Sequence, residues 1–316
     1  MAVRSGFCGA ALHRITMVIY RDCGHNLAQH IVVPERRVAV HFNERAIPAE
    51  SFGVNAYCQQ LLVDARVKGT RILLERWTLG PGAMTELGIG ARDLAWFQLL
   101  EGDAVLSTAA GAHALNDAHI AFLPPGFRGT LGARGDAVVL YAEVPDAARL
   151  DPALTENPPQ LRVIDWTREP VLDSEHDARK RIYVVTPKLF GTRALKGEMI
   201  IYPPGTEAAN HHHEGAEHFM YVLAGSGTAW ANEQPFHVKK GDLIWYADRE
   251  RHYLKSDPRE EMRFVEFFVP GECTTVWAPG AKVCTWVPTG RDIRGNVPAR
   301  EITKHSSAHS ALPQDV

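Results

Sequence analysis

From about residue 38 onward the apolar positions come in short runs closed by glycine, proline or acidic side chains. RILLERWTL, AWFQLLEG, DAVVLYAEV, GEMIIYPPG, HFMYVLAGSG, DLIWYA and MRFVEFFVP are examples. β-Branched and aromatic residues dominate these runs, so each predicts a strand; many of them at close spacing predict an all-β barrel or sandwich. No long segment carries the apolar stripe of an amphipathic helix. Residues 145–175, rich in Pro, Asp and Glu, interrupt the pattern and are expected to connect two strand-rich regions. After about Thr289 the chain turns polar and is expected to form a loosely ordered tail. Near the start, His13, Arg14 and Thr16 break a short apolar stretch, which reads as an extension and not as a signal peptide.

The strand-rich part repeats itself. Setting Gly80 to Gly102 over Pro203 to Gly225 needs no gap and gives a constant offset of 123 residues. The same offset pairs Glu75 with Glu198, Pro81 with Pro204, Leu100 with Leu223, Arg128 with Arg251, Leu131 with Leu254 and Glu143 with Glu266. Two homologous β-domains in tandem account for this register. The expected organisation is an extension (1–37), a first barrel (38–148), a connection (149–178), a second barrel (179–289) and a tail (290–316).

Composition narrows the function classes. The 316 residues are 45% hydrophobic and 22% charged, with a formal net charge of −3. That is an ordinary globular balance without the basic excess that nucleic acid requires. No run of about 18 apolar residues offers a membrane-spanning helix. Five cysteines without close CxxC spacing argue against a zinc ribbon or a disulfide framework, and a cytoplasmic setting is expected. The partner left by these exclusions is a small molecule.

Candidate chemistry concentrates in residues 210–218, N-H-H-H-E-G-A-E-H. Side chains at i and i+2 of a strand share a face, so His211 and His213 converge while His212 turns away. Gly205, His211, His213, His218 and Gly225, followed by Gly241, Asp242 and His252, resemble the two motifs of the cupin superfamily. The resemblance implies two tandem cupin barrels of double-stranded β-helix (jelly-roll) form. It also implies one divalent transition metal held by His211, His213, His218 and His252. The family usually carries a glutamate where this chain has His218, and Glu217 lies one position away, which in a strand is the opposite face. Two sets therefore stay open: four imidazoles, or three with Glu217 rotated inward by a bulge. In the second motif Ala247, Arg249 and Ser256 replace the usual Pro, Gly and Asn.

The first copy serves as an internal control. At the same offset the four ligand positions become Gly88, Gly90, Ala95 and Gly129, none of which has a ligating side chain, although Pro124 and Gly126 of the second motif persist. Features present in both copies read as structural, which lowers Glu266 (matched by Glu143) and Arg251 (matched by Arg128) as catalytic candidates. Glu217 and Glu214 are candidate general bases. Met220, Val222, Leu254, Trp230 and Trp245 are candidate pocket walls.

Imidazole ligands suit several metals, with Fe(II) placed first and Mn, Zn, Ni and Cu open. An all-imidazole set resembles that of cupin dioxygenases acting on diketones, thiols or aromatic acids, which implies a dioxygenase of a small oxygen-rich or aromatic acid. The alternatives are a non-redox cupin, such as a ureidoglycine aminohydrolase-like hydrolase, isomerase, lyase or decarboxylase, and a non-catalytic ligand binder. The resemblance further implies a homo-oligomer.

Overall fold

Strand Glu217–Ala224 is almost entirely buried because both of its faces meet a core. His218, Met220 and Val222 point into one sandwich, while Phe219 and Tyr221 point into a second apolar layer shared with the other half of the chain. Strands buried on both faces read as near-continuous apolar runs, which is why HFMYVLAGSG shows little alternation. The computed structural model describes residues 39–303, and the predicted N-terminal extension and the end of the tail lie outside them.

Within that range the chain is nearly all β, with single helical turns at Ala153–Glu156 and Pro187–Phe190. Four sheets of antiparallel strands form two sandwiches. In the first, a seven-stranded sheet centred on Leu94–Glu101 and Ala137–Val144 faces a four-stranded sheet that includes Met84–Gly88 and Arg128–Ala133. In the second, an eight-stranded sheet centred on Glu217–Ala224 and Met262–Val269 faces a five-stranded sheet that includes His211–Glu214 and His252–Ser256. The two large sheets meet through their outer faces. There Trp96 lies 4.7 Å, centroid to centroid, from Phe267.

The expected connection is built into the sheets. Arg162–Asp165 pairs with His119–Leu123 of the first sandwich, and Val171–Ser174 pairs with Lys180–Val185 of the second. The apolar residues Ile164, Val171 and Leu172 are buried there, which overrides the turn-forming composition around them. Val40–Asn43 departs from expectation too, pairing with Asp242–Tyr246 of the second sandwich, not with the first. The tail is anchored as far as it is described: Arg300 meets Glu169 at 2.7 Å and Ile302 is buried.

The repeat holds in three dimensions, with one change of register that bears on the site. Ala95 faces Leu123 as His218 faces Tyr246, at the offset of 123. On Ala137–Val144 and its counterpart Met262–Val269 the offset becomes 125, because Met220 faces Glu266 whereas its counterpart Phe97 faces Tyr141. The turn before that strand, between Ser256 and Met262, is longer by two residues than the one between Ala133 and Ala137. Gly102 and Gly225 record the shift independently. Both have positive φ, and a Cβ on either would strike the oxygen of Asp136 (2.1 Å) or of Glu261 (2.0 Å), so these two carbonyls are the equivalent pair. Glu266 therefore corresponds to Tyr141, and Glu143 corresponds to Phe268.

Candidate metal centre

Two facing sheets supply the site. His211 and His213 share a face of their short strand; His211 stands opposite His252 on one neighbour and His213 opposite Thr275 on the other. Gly215, at φ +100°, lets the chain leave that strand and cross to the larger sheet, where His218 follows. Opposite His218 stand Tyr246 and Phe268.

The four imidazoles converge. Ring centroids lie 4.9 Å apart for His211 and His213, 4.5 Å for His211 and His252, 4.9 Å for His213 and His218, and 4.7 Å for His218 and His252. Ligand atoms of His213, His218, His252 and Glu266 all fall within 4.8 Å of one another, and all four residues are buried. Such a group can hold a metal ion.

Outer contacts orient the rings. His211 Nδ1 donates to the Ala209 carbonyl at 2.8 Å, and His252 Nδ1 donates to the Glu250 carbonyl at 2.8 Å. His213 Nδ1 lies 3.1 Å from the Thr275 hydroxyl. The carbonyl acceptors fix the tautomer of His211 and His252 and leave their Nε2 lone pairs for a ligand, and the Thr275 hydroxyl orients the His213 ring. His252 Nε2, both nitrogens of His218 and Glu266 Oε1 are buried without a hydrogen bond among the described residues. Buried polar atoms are rarely left so, and a bound cation is the partner their chemistry fits.

Electrostatics agree with that fit. Burial holds His211, His213 and His218 well below the ordinary histidine range, and neighbouring imidazoles add to the effect. Burial likewise lowers His252 to about 4. The rings are thus neutral, as a metal ligand must be. Glu266 is pushed up to about 8, first by burial and then by the Glu198 carboxylate facing it across the sheet. Its Oε1 lies 3.4 Å from His218 Nε2.

The choice between His218 and Glu217 has a clear geometric answer. Glu217 lies on the opposite face, where its carboxylate accepts from Trp245 Nε1 (2.7 Å), Thr70 Oγ1 (2.8 Å) and the Arg71 amide (2.7 Å). No bulge turns it inward at this point, and it stitches the second sandwich to the first. As a candidate base it is therefore misplaced, one strand position having reversed its direction. Glu214 is not brought in either; it is 37% exposed beside His212 (3.4 Å) and Arg249 (3.8 Å).

The candidate walls divide in the same way. Met220, Val222 and Leu254 are buried in the apolar interior of this sandwich with Tyr202, Tyr246 and Phe264. Trp245 belongs to the layer between the sandwiches, and Trp230 stacks on Tyr253 at 4.4 Å on the outer side of the smaller sheet. Neither tryptophan reaches the imidazoles. The sequence reading missed Tyr246, which stacks on His252 at 4.3 Å, and Phe268, which stacks on His218 at 5.0 Å. It also set Glu266 aside, although period-two alternation through MRFVEFFVP places residues 262, 264, 266 and 268 on the inner face.

Comparisons with known proteins agree with this geometry. Residues 198–268 match the family model Cupin_2, the cupin domain. No curated protein matches the chain by sequence. Among solved structures, protein YlbA from E. coli superposes with a TM-score of 0.58 at 15% identity, over 74% of this chain and 91% of its own. An oxalate decarboxylase from Bacillus subtilis superposes with a TM-score of 0.59 at 14% identity, over 75% and 78%. A further structure of that decarboxylase, described for its Mn(II) centres, gives 0.59 at 12% identity over the same shares. At these identities the likeness is one of fold. Among the described residues no helix is long and apolar enough to cross a membrane.

Proposed function

With a cupin domain in its C-terminal half, we propose that this chain is a metal-dependent enzyme acting on a small organic acid. The metal site belongs to the second of two tandem barrels, whose expected limits of 38–148 and 179–289 are crossed by Arg162–Asp165, which joins the first, and by Val40–Asn43 and Val171–Ser174, which join the second. One observation carries the reading: four imidazoles, three of them buried and His211 half-buried, converge from two sheets, with three Nδ1 atoms held from outside. His213, His218 and His252, with Glu266, bring their ligand atoms within 4.8 Å of one another and would hold one divalent transition metal, and His211, whose ring centre lies 4.5 Å from that of His252, stands beside them as a further imidazole ligand. A metal so bound supplies Lewis-acid polarisation of a substrate oxygen and, as iron(II), a place for dioxygen. The rest falls to the chain. Tyr246 and Phe268 flank the rings and keep water from them, while Met220, Val222 and Leu254 close the interior beneath.

Two reaction classes share this shell. The all-imidazole set supports the dioxygenase reading. The Glu266 carboxyl supports a non-redox reading, a lyase, decarboxylase or hydrolase, because a buried carboxyl 3.4 Å from His218 can take up or give a proton at the site. The Mn(II) centres described for the structurally similar decarboxylase make Mn as well supported as Fe. Elemental analysis of purified protein, followed by oxygen uptake and by carbon dioxide and ammonia release on a panel of small acids, separates them. Oxygen consumption after anaerobic Fe(II) loading supports the first class. Product release without oxygen, on Mn-loaded protein, supports the second, and protein that holds no metal ends both.

A further inference from the structure

The metal-bearing barrel also carries Lys196, which is buried, and Arg181, whose side chain is 17% exposed; the buried Arg179 nearby is neutralised by Asp177 at 2.7 Å. Arg181 is ion-paired. Its Nε lies 3.1 Å from Glu198, its Nη1 donates to the Tyr183 hydroxyl at 3.1 Å, and its guanidinium sits 4.2 Å from the Trp286 ring centre. Lys196 is different. It is 5% exposed, makes no ion pair among the described residues, and its ammonium lies 3.9 Å from the centre of the Phe268 ring.

That ring belongs to the metal centre. Phe268 stacks on His218 at 5.0 Å and meets His213 edge-on at 4.9 Å. Lys196 and His218 both face Phe268 across the sheet, from the strands on either side of it. The ammonium thus stands across one aromatic ring from the imidazoles. Burial alone would pull Lys196 down, but the Glu198 carboxylate two residues along more than reverses this, so the charge persists. A largely buried ammonium that lies over a ring face and has no ion pair among the described residues gains when an anionic acceptor is brought to it.

The first sandwich shows that the cations go with the site and not with the scaffold. Cys58 faces Trp77 where Arg181 faces Ile200, and Leu73 faces Glu143 where Lys196 faces Phe268. The barrel without the imidazoles has neither cation. Glu198, by contrast, has its counterpart in Glu75, so the carboxylate is shared scaffold. With a bound dication, Arg181 and Lys196 outweigh Glu198 and Glu266 even if both carboxyls are ionised.

We propose that Lys196 receives a carboxylate of the substrate remote from the metal, so that the site selects acids with one chelating end and a second anionic end. This rests on the metal-site reading above and names the substrate class within it. The ammonium supplies the positive pole, and Phe268 fixes the span between it and the metal.

The test uses full-length, metal-loaded protein and two pairs of probes that share a 2-oxo acid head: 2-oxoglutarate against 2-oxopentanoate, and 2-oxoadipate against 2-oxohexanoate. Within each pair only the second carboxylate differs, and affinities are read by calorimetry. Wild type is expected to prefer the diacid by tenfold or more in at least one pair. Lys196→Met should erase the preference at unchanged metal content, and Lys196→Arg should restore part of it, which a merely structural lysine would not do. If Lys196→Met does not fold, Lys196→Gln takes its place. No preference in wild type, or a preference that survives in the variant, overturns the inference while leaving the metal reading intact. Absence of metal from the protein removes both.

Discussion

The two sandwiches share a strand plan and differ in what fills them. Where the second holds four imidazoles, the first holds Leu87, Ile89, Phe127 and Ala95, all buried in an apolar core. Its Met84–Gly88 strand also pairs one residue out of step, with Gly88 opposite Arg128 where His211 stands opposite His252. Arg128 Nη1 donates to the carbonyls of Ile89 and Phe127, and a Cβ on Gly129, the counterpart of His252, would lie 2.8 Å from the Phe127 ring. The strand plan therefore survives without the site because backbone pairing and outer-face packing hold it, and the inner face is free to be apolar or ligating.

The strongest way to break the contrast is to remove the imidazoles. His211→Ala with His252→Ala should reduce bound metal from about one equivalent to a trace, read by elemental analysis, because both rings are held toward the same point. The strand plan should persist, read by circular dichroism, since the first sandwich shows such a scaffold standing without these rings. Full metal content in the double variant would refute the assignment of the site.

Acid should separate the halves next. In the metal-stripped protein His252 is held at about 4, and the other three imidazoles lie well below their usual value. An unfolded histidine titrates near 6.5. Above that pH both states are neutral and nothing changes. Below it the unfolded chain takes protons that the native imidazoles refuse, so their contribution falls with pH until they titrate; Glu266, raised to about 8, works in the opposite direction, so the slope is read in the Glu266→Gln background. For His252 alone the loss is about 3 kcal/mol by pH 4, at about 1.4 kcal/mol per unit. Urea midpoints between pH 7 and pH 4 should show it, and the double alanine variant should show less. In the first sandwich His113 is exposed and His119 only half-buried, and Glu143, raised by burial, opposes the fall, so that half should not share the slope. A flat profile would mean the rings are not buried neutral.

Much of this contrast was legible in sequence, and its gaps have specific causes. The period-two spacing of His211 and His213 gave their common face, and the landmarks Gly205 and Gly225 gave His218 its place. Strand alternation put Met220, Val222 and Leu254 inside. Glu266 was set aside because a constant offset matched it to Glu143, and a turn two residues longer breaks that offset just before Met262–Val269. Lys196 carried no signal, since a lysine at a strand edge in the sequence shows neither its burial nor the ring beneath it. The domain ends were the least visible. Val40–Asn43 and Val171–Ser174 join the second sandwich through pairings that no local pattern encodes.

The corrected register sharpens the comparison at its finest point, the pair Glu266 and Tyr141, which occupy equivalent inner positions with different chemistry. The Tyr141 hydroxyl donates to Glu143 at 2.8 Å in a largely buried setting, and its ring stacks on Trp77 at 4.4 Å. Tyr141→Phe keeps the stack and loses one hydrogen bond, so it should cost about 1 kcal/mol in a denaturant titration and leave metal affinity unchanged. Glu266→Gln keeps the shape but puts a neutral amide where a bound dication would draw the proton from the carboxyl beside His218, so it should weaken metal binding about tenfold, in the range for a group that supports a ligand, with a similarly small effect on stability. Competition against a metal-binding dye reads the second, and equal metal affinity in both variants would make Glu266 as structural as the tyrosine it replaces.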